Sequence, residues 1–228
     1  GYSSAASDVY KRQDMGFLMP GKFIHTMEES GTITELDFYM FEEACRLLAR
    51  FELDGWPGLN LFCNFSRKTI SLANFSERLM LIAERYCFDR SRLCLEITES
   101  CMFESEAAAR ESLHYCRQAG FRVALDDVGS GYSSFADLAN YPIDLAKIDR
   151  ALLAASEENS FHLLRGMNAL FHSINISTLC EGVETSEQCR ILRELGIDLI
   201  QGFCIQRALP VDETLLWLRE REGKVLDC

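Results

Sequence analysis

The chain has no C-x-x-C pair, although it holds ten cysteines among 228 residues. Without closely spaced thiolates there is no zinc site of the finger or ribbon kind. Most of these cysteines lie inside apolar runs and read as small buried core residues of a reduced, cytosolic protein. The histidines at 25, 114, 162 and 172 show no metal-ligand spacing and read as structural. No window approaches the ~18 consecutive apolar residues of a membrane span, and the first residues lack the apolar core of a signal peptide. Positive charge is scarce: 23 Lys and Arg face 35 Asp and Glu, for a net charge of −12. That deficit excludes the basic footprint of a duplex-binding protein. It leaves an anionic ligand open if metal ions supply local positive charge, in which case some carboxylates are metal ligands. Hydrophobic residues at 48% and charged residues at 25% exclude a collagen-like, low-complexity or disordered chain.

What is present is an alternation. Residues 1–13 are polar and aperiodic, and are expected to be an extraneous or disordered leader. No Pro-, Gly- or Ser-rich linker divides the rest, so residues 14–228 read as one domain. Short apolar runs predict strands over 59–66, 92–98, 121–126, 144–148, 174–180 and 197–202. Helical spacing predicts helices over 32–51, 74–86, 104–119, 151–172, 184–195 and 210–222. Thr34 is the candidate cap of the first, Gly120 and Gly196 are stop signals, and Pro210 followed by acids opens the last. Phe38, Phe41 and Phe51 read as packing of the first helix. Strands alternating with helices demand a parallel sheet with right-handed crossovers.

Nearly every predicted strand ends in a residue the core should reject: Asn64, Glu96, Asp126 with Asp127, Lys147, Glu181 and Gln201. Each has a plain local reading. The two aspartates could cap a turn, Glu181 and Glu184 could favour a helix N-terminus, and Lys147 could pair with Asp144 or Asp149. Recurrence at successive strand ends argues against six separate accidents. A barrel gathers the carboxyl ends of its strands around one axis. The expected fold is therefore a TIM-like (β/α)8 barrel, incomplete, with about six of eight strands visible. Clustered carboxylates repel one another unless protons or cations intervene. Oxygen ligands suit Mg²⁺ or Mn²⁺, and adjacent aspartates suit two ions acting on a phosphodiester. Arg67 follows Asn64 at the same rim.

The segments LEITES (95–100), ALDDVGSGYSSFADL (124–138), PIDLAKID (142–149), CEGVET (180–185) and QGF (201–203) resemble the EAL domain family. GKFIHTMEESGTITELD (21–37) and CNFS (63–66) resemble it too, so the likeness spans about residues 16–220. The resemblance implies a TIM-like barrel hydrolysing cyclic di-GMP to the linear dinucleotide at a two-metal site. It implies that Asn64, Glu96 and Asp126 hold the first ion. Asp126 would bridge, and Asp127 with Glu181 would hold the second. Lys147 would orient the attacking water, Glu99 would anchor the loop after Asp127, and Glu184, Gln201 and Arg67 would support the site or contact the ligand. No Glu-Ala-Leu triplet occurs anywhere in the chain. Its glutamate and a nearby arginine would lie on strands expected before residue 14, so the chain as it stands is expected to be impaired. The resemblance further implies sensory or cyclase domains in a longer parent, with membrane anchoring through them, and a possible homodimer. A module that binds cyclic di-GMP or a protein partner without cleaving it is the alternative.

Overall fold

The computed structural model describes residues 2–3, 10–12, 16–18, 20–56, 58–99, 107–129, 138, 140–154 and 157–221. Strand β1 (Tyr2–Ser3), a hairpin of β2 (Tyr10–Arg12) and β3 (Gly16–Leu18), and helix α1 (Ile24–Ser30) lead into α2 (Ile33–Leu53). Then come β4 (Asn60–Asn64), α3 (Arg67–Ile70), α4 (Phe75–Ala83), β5 (Leu93–Thr98), α5 (Ala107–Gln118) and β6 (Arg122–Val128). The chain closes with β7 (Leu145–Ile148), α6 (Ala151–Ala154), α7 (Glu157–Ser173), β8 (Ser177–Cys180), α8 (Ser186–Glu194), β9 (Leu199–Ile200) and α9 (Val211–Arg219).

The main sheet is parallel throughout and runs β1-β4-β5-β6-β7-β8-β9. From β4 onward each strand pairs with the next strand in the chain. The sheet curls into a half-barrel with helices on its outer side. All six predicted strands are present, because apolar runs bounded by polar or glycine residues mark both ends of a buried parallel strand. Tyr2–Ser3, inside the expected leader, lies parallel to β4, with Tyr2 opposite Asn60.

Helix α2 buries Phe38, Phe41, Cys45, Leu48 and Phe51, spaced three or four apart along one face. Phe41 meets Phe65 at 5.9 Å and Phe121 at 5.7 Å between ring centroids, and Phe65 stands edge-on to Phe75 at 5.2 Å. Such a core aromatic contributes enough that Phe41→Ala would cost about 3–5 kcal/mol. The cap of α2 is Thr32, not Thr34. Thr34 instead lies within the first turn, where its hydroxyl accepts from Thr69 at 3.4 Å. Gly120 and Gly196 follow α5 and α8 with φ of 104° and 78°, the left-handed conformation that stops a helix. A reciprocal capping box opens α8: the Thr185 hydroxyl accepts from Gln188 N, and Gln188 Oε1 accepts from Thr185 N at 3.1 Å.

Of the cysteines, 45, 63, 94, 116, 180 and 189 are buried as expected and Cys204 is partly so. Cys87 is exposed, because it falls in the turn beyond α4 rather than in an apolar run. Cys101 and Cys228 lie outside the described residues.

Candidate functional site

Side chains alternate along every strand of the curled sheet. Leu61, Cys63, Leu93, Leu95, Ile97, Val123, Leu125 and Ala146 face the helices and join the main core. The opposite set forms a second apolar layer on the inner face: Phe62, Cys94, Ala124, Leu145 and Leu179, with Leu199 against them. Two residues further along each strand, the same alternation brings Asn64, Glu96, Asp126, Lys147, Glu181 and Gln201. The polar residues therefore form one tier above an apolar floor, at the carboxyl ends of the strands. The strand register sets Asn64 opposite Glu96 and Asp126 opposite Thr98, so Asp126 stands two residues further along the sheet than Glu96.

Lys147 sits at the centre. Its Nζ lies 2.5 Å from Glu96 Oε1, 2.7 Å from Glu181 Oε1 and 3.0 Å from Asp126 Oδ1. The Phe62 ring lies beneath it, 5.9 Å from the ammonium to the centroid. Neither Asp144 nor Asp149 is its partner. Asp144 takes Arg117 at 2.8 Å, and Asp149 accepts from Ala151 N at 2.6 Å. The Glu96 side chain is completely buried, those of Asp126 and Glu181 keep 15% and 23% of their surface, and that of Lys147 keeps 3%. Glu96 Oε1 meets the ammonium as a charge contact outside hydrogen-bond alignment, and Oε2 is buried without a hydrogen-bond partner.

Burial pushes the Glu96 carboxyl up to about 7, with the Lys147 charge pulling the other way and Asp126 adding to the rise. Burial also raises Glu181, against the pull of Lys147. Burial works to discharge Lys147, but the carboxylates of Glu96, Asp126 and Glu181 outweigh it and hold the ammonium charged. Asp127 is raised by burial and by Asp126. Its φ is 58°, in the left-handed region, and its N–H donates to Asp126 Oδ1 at 3.0 Å. The register of β6 against β7 shifts between Leu125 and Val128, so a bulge underlies the aspartate pair.

The other expected site residues lie further out. Glu99 is buried just past β5, and its Oε2 has no hydrogen-bond partner. Gln201 follows β9; its N–H donates to Cys180 O at 2.9 Å and its carbonyl accepts from Val183 N at 3.1 Å. Arg67 and Glu184 are exposed on the rim. Among the described residues, no three His, Cys, Asp or Glu side chains are set as a metal ion requires. Chemically the donors still suit a hard divalent ion: they are all oxygens, and Glu96 Oε2 is buried and unsatisfied.

Two residues escaped the sequence reading. Phe62 supports Lys147 from below; strict period two from Asn64 would have found it. Asp37 on α2 accepts from Thr69 Oγ1 at 2.6 Å and Ser66 N at 2.9 Å, fixing the turn after Asn64. Its burial raises its carboxyl, while those hydrogen bonds oppose the rise. A lone acid among apolar helix positions was its signal. A cavity of about 420 Å³ lies at the other end of the strands, lined by Asn60, Arg92, Arg122, Asp144 and Ser177 among others, away from this tier.

Among curated proteins, the chain is 29% identical to the oxygen sensor protein DosP of Escherichia coli K12, over 89% of this chain and 26% of that protein. It is 29% identical to the bifunctional diguanylate cyclase/cyclic di-GMP phosphodiesterase MucR of Pseudomonas aeruginosa, over 88% of this chain and 30% of that protein. The chain thus spans about a quarter to a third of the length of these relatives. Among solved structures, a MucR phosphodiesterase in complex with cyclic di-GMP superposes with a TM-score of 0.84 at 28% identity, covering 90% of this chain and 84% of that one. These structural neighbours have the TIM-like fold expected from the strand pattern. Residues 8–208 match the EAL domain, and the chain belongs to the EAL domain family.

Proposed function

We propose that the protein is a metal-dependent phosphodiesterase that opens one phosphodiester of cyclic di-GMP to give the linear dinucleotide, acting in the cytoplasm in bacterial second-messenger signalling. The strongest support is the meeting of Glu96, Asp126 and Glu181 around Lys147 at adjacent strand ends. Phosphodiesterases of this family are metal-dependent as a class. Asn64, Glu96 and Asp126 would hold one Mg²⁺ or Mn²⁺, and Asp126, Asp127 and Glu181 a second. Ions there would polarise the phosphoryl oxygens and acidify the attacking water. Lys147, fully charged, donates hydrogen bonds that orient that water and balance charge on the phosphoryl oxygens. The buried apolar floor of Phe62, Cys94, Ala124, Leu145 and Leu179 keeps bulk water from beneath the acids. Glu99 anchors the loop after Asp127, and Arg67, Glu184 and Gln201 meet the ligand from the rim. Sensory or cyclase domains in a longer protein, and a homodimer, belong to the same proposal.

A second reading has its own observation. The ammonium stands in the middle of three acids in this chain, and no Glu-Ala-Leu triplet supplies a further ligand. That favours a module that binds cyclic di-GMP without cleaving it. The test compares the 228-residue chain with one extended by the Glu-Ala-Leu strands of a relative, each with chelator, Mg²⁺ or Mn²⁺. Cyclic and linear dinucleotide are separated by chromatography. The extended form should cleave only with metal and the chain itself should turn over little. Cleavage undiminished in chelator refutes the metal assignment. Binding without cleavage by both forms selects the second reading.

A further inference from the structure

Cys189 is buried in the second turn of α8, and Cys204 lies partly exposed in the turn after β9. Their Sγ atoms are 2.9 Å apart, and both cysteines are in the reduced form. Cys189 belongs to an apolar cluster with Leu164, Val183, Leu192 and Ile197, and Cys204 packs on its edge. The backbone holds them in place. Cys204 N donates to Val183 O at 3.1 Å, and Val183 N donates to Gln201 O at 3.1 Å. A disulfide needs sulfurs about 2.05 Å apart, so closure asks for a movement of less than about 1 Å.

We propose that Cys189 and Cys204 form a reversible dithiol–disulfide site, oxidised by a small-molecule disulfide such as oxidised glutathione. Cys204, the reachable thiol, loses its proton and attacks one sulfur of the small disulfide, expelling one small thiolate and forming a mixed disulfide. Cys189 then loses its proton and attacks the Cys204 sulfur, expelling the second small thiolate. Both expelled thiolates take up the released protons. The protein thus loses two hydrogens and two electrons, and one small disulfide becomes two small thiols. The new bond ties α8 to the turn after β9 and closes a loop that contains β9 and Gln201. It fixes the backbone lacing between the Glu181 and Gln201 strand ends. Only that last consequence rests on the proposed function.

The test equilibrates the reduced, folded chain in graded mixtures of reduced and oxidised glutathione. Samples are acid-quenched, unfolded, alkylated, digested and weighed. The expected result is a joined peptide pair containing Cys189 and Cys204, lighter by two hydrogens than the separate peptides, with Cys45, Cys63, Cys94 and Cys116 still alkylated. Cys87→Ser should leave the yield of that pair unchanged, and Cys204→Ser should abolish it and leave Cys189 alkylated. The oxidised chain should also melt at a higher temperature than the reduced chain. Full glutathionylation of exposed Cys87 with no joined 189–204 pair overturns the proposal, as does a pair that forms only in denaturant. No readout involves cyclic di-GMP, so the outcome is independent of the proposed activity.

Discussion

Replacing Lys147 with methionine keeps an apolar stem of similar length and deletes the cation that stands among three acids. The ammonium's ion pairs with Glu96, Glu181 and Asp126, at 2.5, 2.7 and 3.0 Å, go with it. Removing one partner of a buried ion pair costs about 3–5 kcal/mol, mostly from stranding the other charge. Asp126 and Glu181 reach water and account for little of this. Glu96 is completely buried and accounts for most. Its carboxyl already sits at about 7 with the lysine present, and losing the lysine raises it further. A carboxyl raised in the folded state binds more protons there than when unfolded. Stability therefore rises as pH falls through that raised value. Lys147→Met should cost about 3–5 kcal/mol at pH 8 and about 1.4 kcal/mol less at pH 5.5, because the loss that depends on pH is limited to the one unit between the parent's Glu96 value of about 7 and pH 8. Urea unfolding followed by circular dichroism at the two pH values measures both. Equal midpoints for variant and parent at pH 8, or the same loss at both pH values, would refute the central role of the ammonium.

Three further outcomes are expected. In the unsubstituted chain Glu96, raised from 4.5 to about 7, should make stability fall by at most about 3 kcal/mol as pH climbs across that interval; Glu96→Gln should flatten this slope in urea titrations, and an unchanged slope would exonerate Glu96. A Cβ at Gly202 would run into the backbone N, C and O of Val183, so Gly202→Ala should destabilise by about 1–3 kcal/mol or more, and an unchanged melting temperature would contradict that close approach. Deleting residues 1–13 should leave the melting temperature unchanged if they are extraneous; a drop beyond about 4 °C, roughly 1 kcal/mol in a chain this size, would make Tyr2–Ser3 part of the working sheet.

Much of the fold is legible because buried parallel strands leave an unambiguous trace. The apolar run LNLFCN ends at Asn64 and the structure ends β4 there. RLCLEIT, a predicted strand over 92–98, forms β5 over Leu93–Thr98. Helix α1 escapes detection because it buries none of its residues and so carries no apolar stripe. The cap of α2 is misplaced by sequence because Thr32 and Thr34 are equally good candidates by type, and only the hydrogen bond with Thr69 separates them. At the site, the identity of the polar tier is readable from strand ends, but its organisation is not. Three acids and one lysine at known strand ends do not reveal that the lysine lies between the acids. That depends on the curl of the sheet, which brings Glu96 and Glu181 to the same ammonium although three strands, β6, β7 and β8, are traversed between their positions in the chain.

The sequential order of β4 to β9 has a kinetic consequence. Every new strand adds to the one made just before it, so the sheet can grow by accretion in the order of synthesis with short loop closures at each step. Such an array holds its centre more firmly than its ends. Amide protons of β5 and β6, six and seven residues long and paired on both sides, should exchange slowest with solvent. Those of β9, two residues long at the margin, should exchange fastest. The strand end that carries Gln201 is then the first part of the polar tier to open and the last to form.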